Sequence, residues 1–184
     1  MTNGVKLMKI NLILAKLLVT LVVVSRLVPH VWNVTPIMAV SLLVGAVLPR
    51  RWAFVVPLVA MLVSDVIIGF YDVGVMLTVY ASFSVVALLG VWLRNLQPSR
   101  ILVGSLASST LFFLTTNFAV WATADWYSKT WSGLMLAYEL GLPFFRNMAL
   151  GDVVYTGVLF GTWAVVQNYV KSATLAKVAP VGVQ

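Results

Sequence analysis

The chain has 184 residues, of which 61% are hydrophobic and only 9% charged, and its mean hydropathy is +1.02. A soluble domain of this length cannot hide so much apolar surface, so composition excludes an ordinary water-soluble fold. The net charge of +7 is read as basic residues gathered at membrane-helix ends, not as a nucleic-acid surface. With no Cys and a single His, a disulfide framework, a thiolate nucleophile and a multi-histidine metal site are all excluded.

The elements predicted from hydrophobic runs and breakers are six transmembrane helices in one all-α bundle, filling a single membrane domain over 1–184. Lys6, Lys9 and Lys16 precede or enter the first apolar run, but no small-x-small cleavage site follows, so 10–28 reads as a retained first helix. Pro29, His30 and Asn33 end it. The second helix, 35–48, begins at Pro36 in its first turn, is short for a full span, and is closed by Pro49-Arg50-Arg51. The third and fourth, 52–70 and 75–93, are joined by a turn at Asp72 and Gly74. A polar loop from Arg94 to Arg100 leads to the fifth, 101–122. The stretch 123–145 carries Trp126, Tyr127, Trp131 and Tyr138, rings that favour a membrane–water interface. It reads as an outer loop with a short interfacial or re-entrant segment ended by Pro143. The sixth helix is expected over 146–170, and 171–184 as a cytoplasmic tail.

Basic residues in short loops set the orientation. With the N-terminus and C-terminus cytoplasmic in a bacterial inner membrane, the inner side holds Lys6, Lys9, Arg50, Arg51, Arg94, Arg100, Lys171 and Lys177. The outer side then holds Lys129, with Arg26 and Arg146 near helix ends.

Ionisable residues at membrane depth are expensive and each needs a partner or a function. Asp65 and Asp152 fall about 7–9 Å below the outer ends of the third and sixth predicted helices, and Asn117 at a similar depth in the fifth. Arg26, His30, Asn33 and Arg146 lie just above. The expectation is one outward-facing polar layer, with Asp65, Asn117 and Asp152 at the base of a pocket. Arg26, His30, Asn33 and Arg146 stand at its rim, and Trp126, Tyr127 and Trp131 over its mouth. The competing expectation is that the acids and bases cancel as internal pairs and Asn117 only ties two helices together. No phosphate-binding G-x-x-x-x-G-K loop, nucleophile elbow or metal-ligand cluster occurs, so no catalytic or metal residue and no cofactor is expected. The echo of Ser64-Asp65-Val66-Ile67-Ile68-Gly69 in Gly151-Asp152-Val153-Val154-Tyr155-Thr156-Gly157 suggests two inverted three-helix halves.

Several stretches occur together: Arg26-x-x-Pro29-His30-x-x-Asn33-x-Thr35-Pro36, Leu62-x-Ser64-Asp65-x-x-x-Gly69, Thr116-Asn117-Phe118-x-x-Trp121, Tyr138-x-x-Gly141-x-Pro143-Phe144-Phe145, and Gly151-Asp152-x-x-Tyr155. Nearly the whole chain resembles an uncharacterised family of bacterial six-helix membrane proteins. That family is more distantly similar to the S components of energy-coupling-factor transporters. The resemblance implies a substrate-binding membrane subunit for uptake of a small, vitamin-like or other polar molecule, docked on a coupling membrane protein with ATPase subunits. S components often dock through an Ala-x-x-x-Ala face on helix 1; here Ala15 is followed by Val19. The alternatives are a membrane scaffold or assembly protein without a ligand and, further off, an intramembrane enzyme. Expected partners are membrane lipid and the small molecule, not nucleic acid.

Overall fold

The computed structural model of the chain describes residues 2–29 and 33–178. Its described residues form six α-helices: α1 (Thr2–Leu27), α2 (Ile37–Val47), α3 (Arg50–Ile68), α4 (Val73–Trp92), α5 (Pro98–Thr123) and α6 (Trp131–Val178). Five of them contain stretches long and apolar enough to cross a membrane: Met8–Leu27, Arg50–Ile68, Val73–Trp92, Pro98–Thr123 and Trp131–Ser172. Many large apolar side chains on these helices point outward, among them Leu17, Val66, Leu77, Val103, Val154 and Val165. Such a surface fits a multi-pass membrane protein, because an exposed apolar belt of this kind is a liability in water.

The exception is α2. It has 11 residues, and every one from Ile37 to Ala46 is buried. At 1.5 Å per residue it is about 16 Å long, roughly half a hydrocarbon core, so the second expected span is not one. A helix that is apolar all round belongs at the centre. Indeed α2 packs on α4, α6, α3 and α5, while α1 leans on α3 and only lightly on α2. Glycines permit the closest approach: a Cβ at Gly45 would overlap the Ala87 carbonyl of α4, and one at Gly90 the Leu42 carbonyl of α2. The far end of α2 is fixed by Arg94, whose guanidinium donates to the Leu48 carbonyl at 3.1 Å and the Gly45 carbonyl at 3.4 Å. A cation here satisfies the carbonyls that a helix C-terminus leaves free. So α2 fills the half of the bundle next to the α4–α5 loop, and the other half of the axis is left to residues 33–36 and side chains.

Along α1, Ala15, Leu18 and Val22 form the buried stripe. Ala15 and Val19 face Trp52, Val55, Val56 and Val59 of α3 across a groove, so this face of α1 is turned toward α3.

The second departure from the sequence expectation is α6. The stretch 123–145 is not mainly a loop: only residues between Thr123 and Trp131 are, and α6 runs unbroken through Pro143 for 48 residues to Val178, into the expected tail. At about 72 Å it is more than twice the hydrocarbon thickness. Packing overrides the proline signal. Phe113 of α5 stacks against Tyr138 and Phe145 with ring centroids 5.7 and 4.8 Å away, and the Tyr138 hydroxyl donates to the Leu114 carbonyl at 3.0 Å. These contacts hold both sides of Pro143 to α5, and an apolar setting tolerates an interior proline where neighbours compensate for it. Lys129 in the short α5–α6 loop is bound to the Trp121 and Ala124 carbonyls, closing the C-terminus of α5.

Candidate functional site

Two adjoining cavities occupy the axial space that α2 leaves empty, at the end of the bundle formed by the α3–α4 turn. The first, of about 380 Å³, is lined by Arg26 of α1, Asn33 and Thr35, Ile37 and Met38 at the start of α2, Met61 and Ile68 of α3, Tyr71 of the α3–α4 turn, Val79 and Phe83 of α4, Phe112 of α5, and Met148 and Asp152 of α6. The second, of about 360 Å³, is lined by Asn117, Trp126, Tyr127, Gly141, Phe144 and their neighbours. Asn33, Phe112 and Met148 border both cavities and form the wall between them. Asn33 sits there with φ of 61°, a left-handed conformation that asparagine tolerates better than most residues.

Arg26 and Asp65 come together as expected of opposite charges at depth. Arg26 Nη2 lies 2.8 Å from Asp65 Oδ1, with the carboxylate fully buried and the guanidinium 18% exposed. Oδ1 meets the guanidinium as an ion pair without an aligned hydrogen bond. The other carboxylate oxygen accepts from the Tyr80 hydroxyl at 2.9 Å. Arg26 Nη1 also donates to Ser64 Oγ at 2.5 Å and meets Met61 Sδ at 2.9 Å. Asp65 therefore does not line the cavity; it lies behind Arg26, which does.

Asp152 has a different environment. It is 2% exposed, it lines the first cavity, and its Oδ2 accepts from Ser109 Oγ at 2.6 Å. Arg26–Asp65 is the one ion pair among the described residues, so Asp152 has no basic partner there. Below it, Thr156 donates to Ser105 Oγ at 3.2 Å, continuing a buried polar seam between α5 and α6. Asn117 instead faces the second cavity, its amide nitrogen bonded to the Phe113 carbonyl at 2.8 Å and its Oδ1 resting where Gly141 has no side chain. The single polar layer expected from sequence is thus two levels. Asp152 is level with Ser109, and eight residues of α5 place Asn117 about 12 Å nearer the α3–α4 end. The expected equality came from starting the last helix at Arg146, when it starts at Trp131.

Trp126 and Tyr127 line the second cavity. Trp131 and Arg146 are exposed and line neither cavity, so the structure does not bring them to the site. His30 lies outside the described residues. Tyr80, Ser109, Tyr71 and the wall of Met38, Met61 and Met148 were not expected. The serines of α5, three within Ser105–Ser109 of an otherwise apolar span, were a legible signal for a polar partner on a facing helix.

At the rim, outside the helices, two groups have shifted ionisation. The Tyr71 phenol is pushed up to about 12 by burial, and further by the Asp65 carboxylate, against the opposing Arg26. Asp72 is lowered by the hydrogen bond it accepts from Thr123 Oγ1 at 2.7 Å, then by that from the Val75 backbone N–H at 2.9 Å, which caps α4. Among the described residues no group of three or more His, Cys, Asp or Glu side chains is arranged to hold a metal ion. Among the described residues, the site offers a partly polar chamber with one buried carboxylate lacking a basic partner, one guanidinium edge, and sulfur and aromatic walls.

An all-helical chain with five apolar helices of spanning length and an axial cavity fits the class of multi-pass membrane proteins. It belongs to a family of unknown function, DUF6580, which matches residues 6–175. No curated protein and no solved structure matches the chain.

Proposed function

We propose that the chain is a substrate-binding membrane subunit, similar in layout to the S components of energy-coupling-factor transporters, that takes up a small polar molecule. The cavities open outward from a bacterial inner membrane with both termini cytoplasmic, and a coupling membrane partner with ATPase subunits supplies the energy. The observation that carries this reading is Asp152, a buried carboxylate with no basic partner among the described residues, in the wall of a cavity of about 380 Å³. An uncompensated charge in such a place is costly, and binding sites are where that cost is tolerated. The volume falls in the range of small-molecule pockets. In this reading Asp152 and Arg26 contact the ligand, Asn117 lines the antechamber, and Trp126 and Tyr127 stand at the entrance.

The scaffold reading draws on a different observation: Arg26, Asp65, Ser64 and Tyr80 already satisfy one another, as internal pairing predicts. Native mass spectrometry of the full chain in mild detergent separates the two. A reproducible small-molecule adduct that is lost in Asp152→Asn supports binding. A clean apo mass that persists after incubation with vitamin and metal pools supports the scaffold.

A further inference from the structure

The acids and bases around the first cavity do not pair off completely. Arg26 and Asp65 cancel as a pair at 2.8 Å. Asp152 remains, 2% exposed, with a single neutral donor, Ser109, on Oδ2. Among the described residues Ser109 is the one group that donates a hydrogen bond to this carboxylate. A weak positive field faces the same space. The N-terminus of α2, whose cap Pro36 supplies no side-chain bond, faces the same cavity through Ile37 and Met38. A helix N-terminus supplies about half a positive charge, shared among its free N–H groups.

The remaining wall suits a cation with an organic body. Phe83 and Phe112, with ring centroids 5.1 Å apart, and the thioethers of Met38, Met61 and Met148 surround the space. Aromatic faces attract organic cations, and methionine adapts to irregular apolar shapes. Inorganic cations prefer a full shell of oxygen ligands; here Asn33, Thr35, Tyr71 and Asp152 bring oxygens to a lining that is otherwise largely apolar, which favours a cation with an organic body.

We infer that the ligand of this cavity carries a cationic nitrogen, an ammonium or a protonated ring nitrogen, held by Asp152. Its apolar or aromatic body packs against Phe83, Phe112 and the three methionines, and an acceptor group is turned toward Arg26 and the start of α2. This rests on the cavity being a binding site, as proposed above.

The test has two arms. In the first, the full chain is purified in mild detergent without added ligand and denatured, and the released small molecules are separated by charge and mass. The expected product is retained on a cation exchanger at neutral pH. A released compound that is neutral or anionic overturns the cationic inference and leaves the binding-subunit reading standing. In the second arm, 3-phenylpropylammonium, 3-phenylpropanol and 3-phenylpropionate, one body in three charge states, are titrated against the unmodified chain, with thermal unfolding as readout. The ammonium is expected to bind at least about 10-fold more tightly than the other two, the scale of one charge-assisted contact. Asp152→Asn, which keeps the shape and removes the charge, is expected to erase that preference. Equal binding of the alcohol or the carboxylate, or stabilisation by sodium chloride alone that depends on Asp152, overturns the inference. If nothing is released and no member of the series binds, the cavity is not a binding site and both readings fall.

Discussion

Arg26, in the last turn of α1, and Asp65, one turn before the end of α3, meet at 2.8 Å and form the charged link between the outermost helix and the rest of the bundle. Removing one partner strands the other. Arg26→Ala leaves a fully buried carboxylate with only the Tyr80 hydroxyl, and is expected to cost about 3–5 kcal/mol of unfolding free energy. Replacing Arg26 by Met and Asp65 by Leu together is expected to recover much of that loss. Chemical unfolding of the two variants in the same detergent checks both figures; a double variant as unstable as Arg26→Ala would show that the pair is not the source.

The α2–α4 crossing makes a sharper steric statement. A methyl at Gly45 or Gly90 meets backbone carbonyls, which cannot rotate away. Gly45→Ala and Gly90→Ala are each expected to cost about 3 kcal/mol. Gly157, where an added Cβ would meet nothing within 4 Å outside its own helix turn, is the control. There Ala is expected to stabilise by up to about 1 kcal/mol through helix propensity. Thermal unfolding of the three variants, all in one buffer, compares them directly.

Asp72 gives a dependence on acid. Its carboxyl is held below the ordinary value of 3.8 by Thr123 and the Val75 N–H. A lowered acid binds fewer protons in the folded chain than in the unfolded one. Its contribution is therefore complete above 3.8 and lost as pH falls through the lower folded value. Asp72→Asn is expected to lack this component. The difference in melting temperature between the two proteins should be constant from neutral pH down to about 5 and shrink below the usual aspartate range.

Tyr71 gives the opposite dependence. Its phenol is raised from 10.0 to about 12, so above the ordinary value the unfolded chain loses a proton that the folded chain keeps. That contribution is complete below 10 and lost as pH rises toward 12. In ultraviolet difference titration, the wild-type minus Tyr71→Phe spectrum is expected to show phenolate appearing near 12, not near 10.

How much of this was legible depended on the range of the forces involved. The Arg26–Asp65 pairing was among the readings open to sequence, because an ionised group at membrane depth must find a counter-charge and few were present. The brevity of α2 was legible from Pro36 and Pro49 bracketing it; its central place was not, since that follows from Gly45 meeting Gly90 across the chain. Asp152 stood out as a residue, but its level did not. That level depends on where α6 begins, and Pro143 reads as a stop unless the stacking of Phe113 on Tyr138 and Phe145 is known. The sequence places Arg146 at a helix end and Trp131 in an aromatic loop over the site, whereas both lie on the long α6 with their side chains exposed.

The half-length α2 also bears on voltage. If the chambers fill with water when the protein sits in a bilayer, the aqueous conductor reaches inward as far as Ile37, and the insulating layer along the axis is α2, about 16 Å instead of about 30 Å. The field across that layer is then roughly doubled. In that case a positive charge leaving the wall of Asp152 for the α2 layer would meet most of any membrane potential there, about 2.3 kcal/mol per elementary charge for each 100 mV.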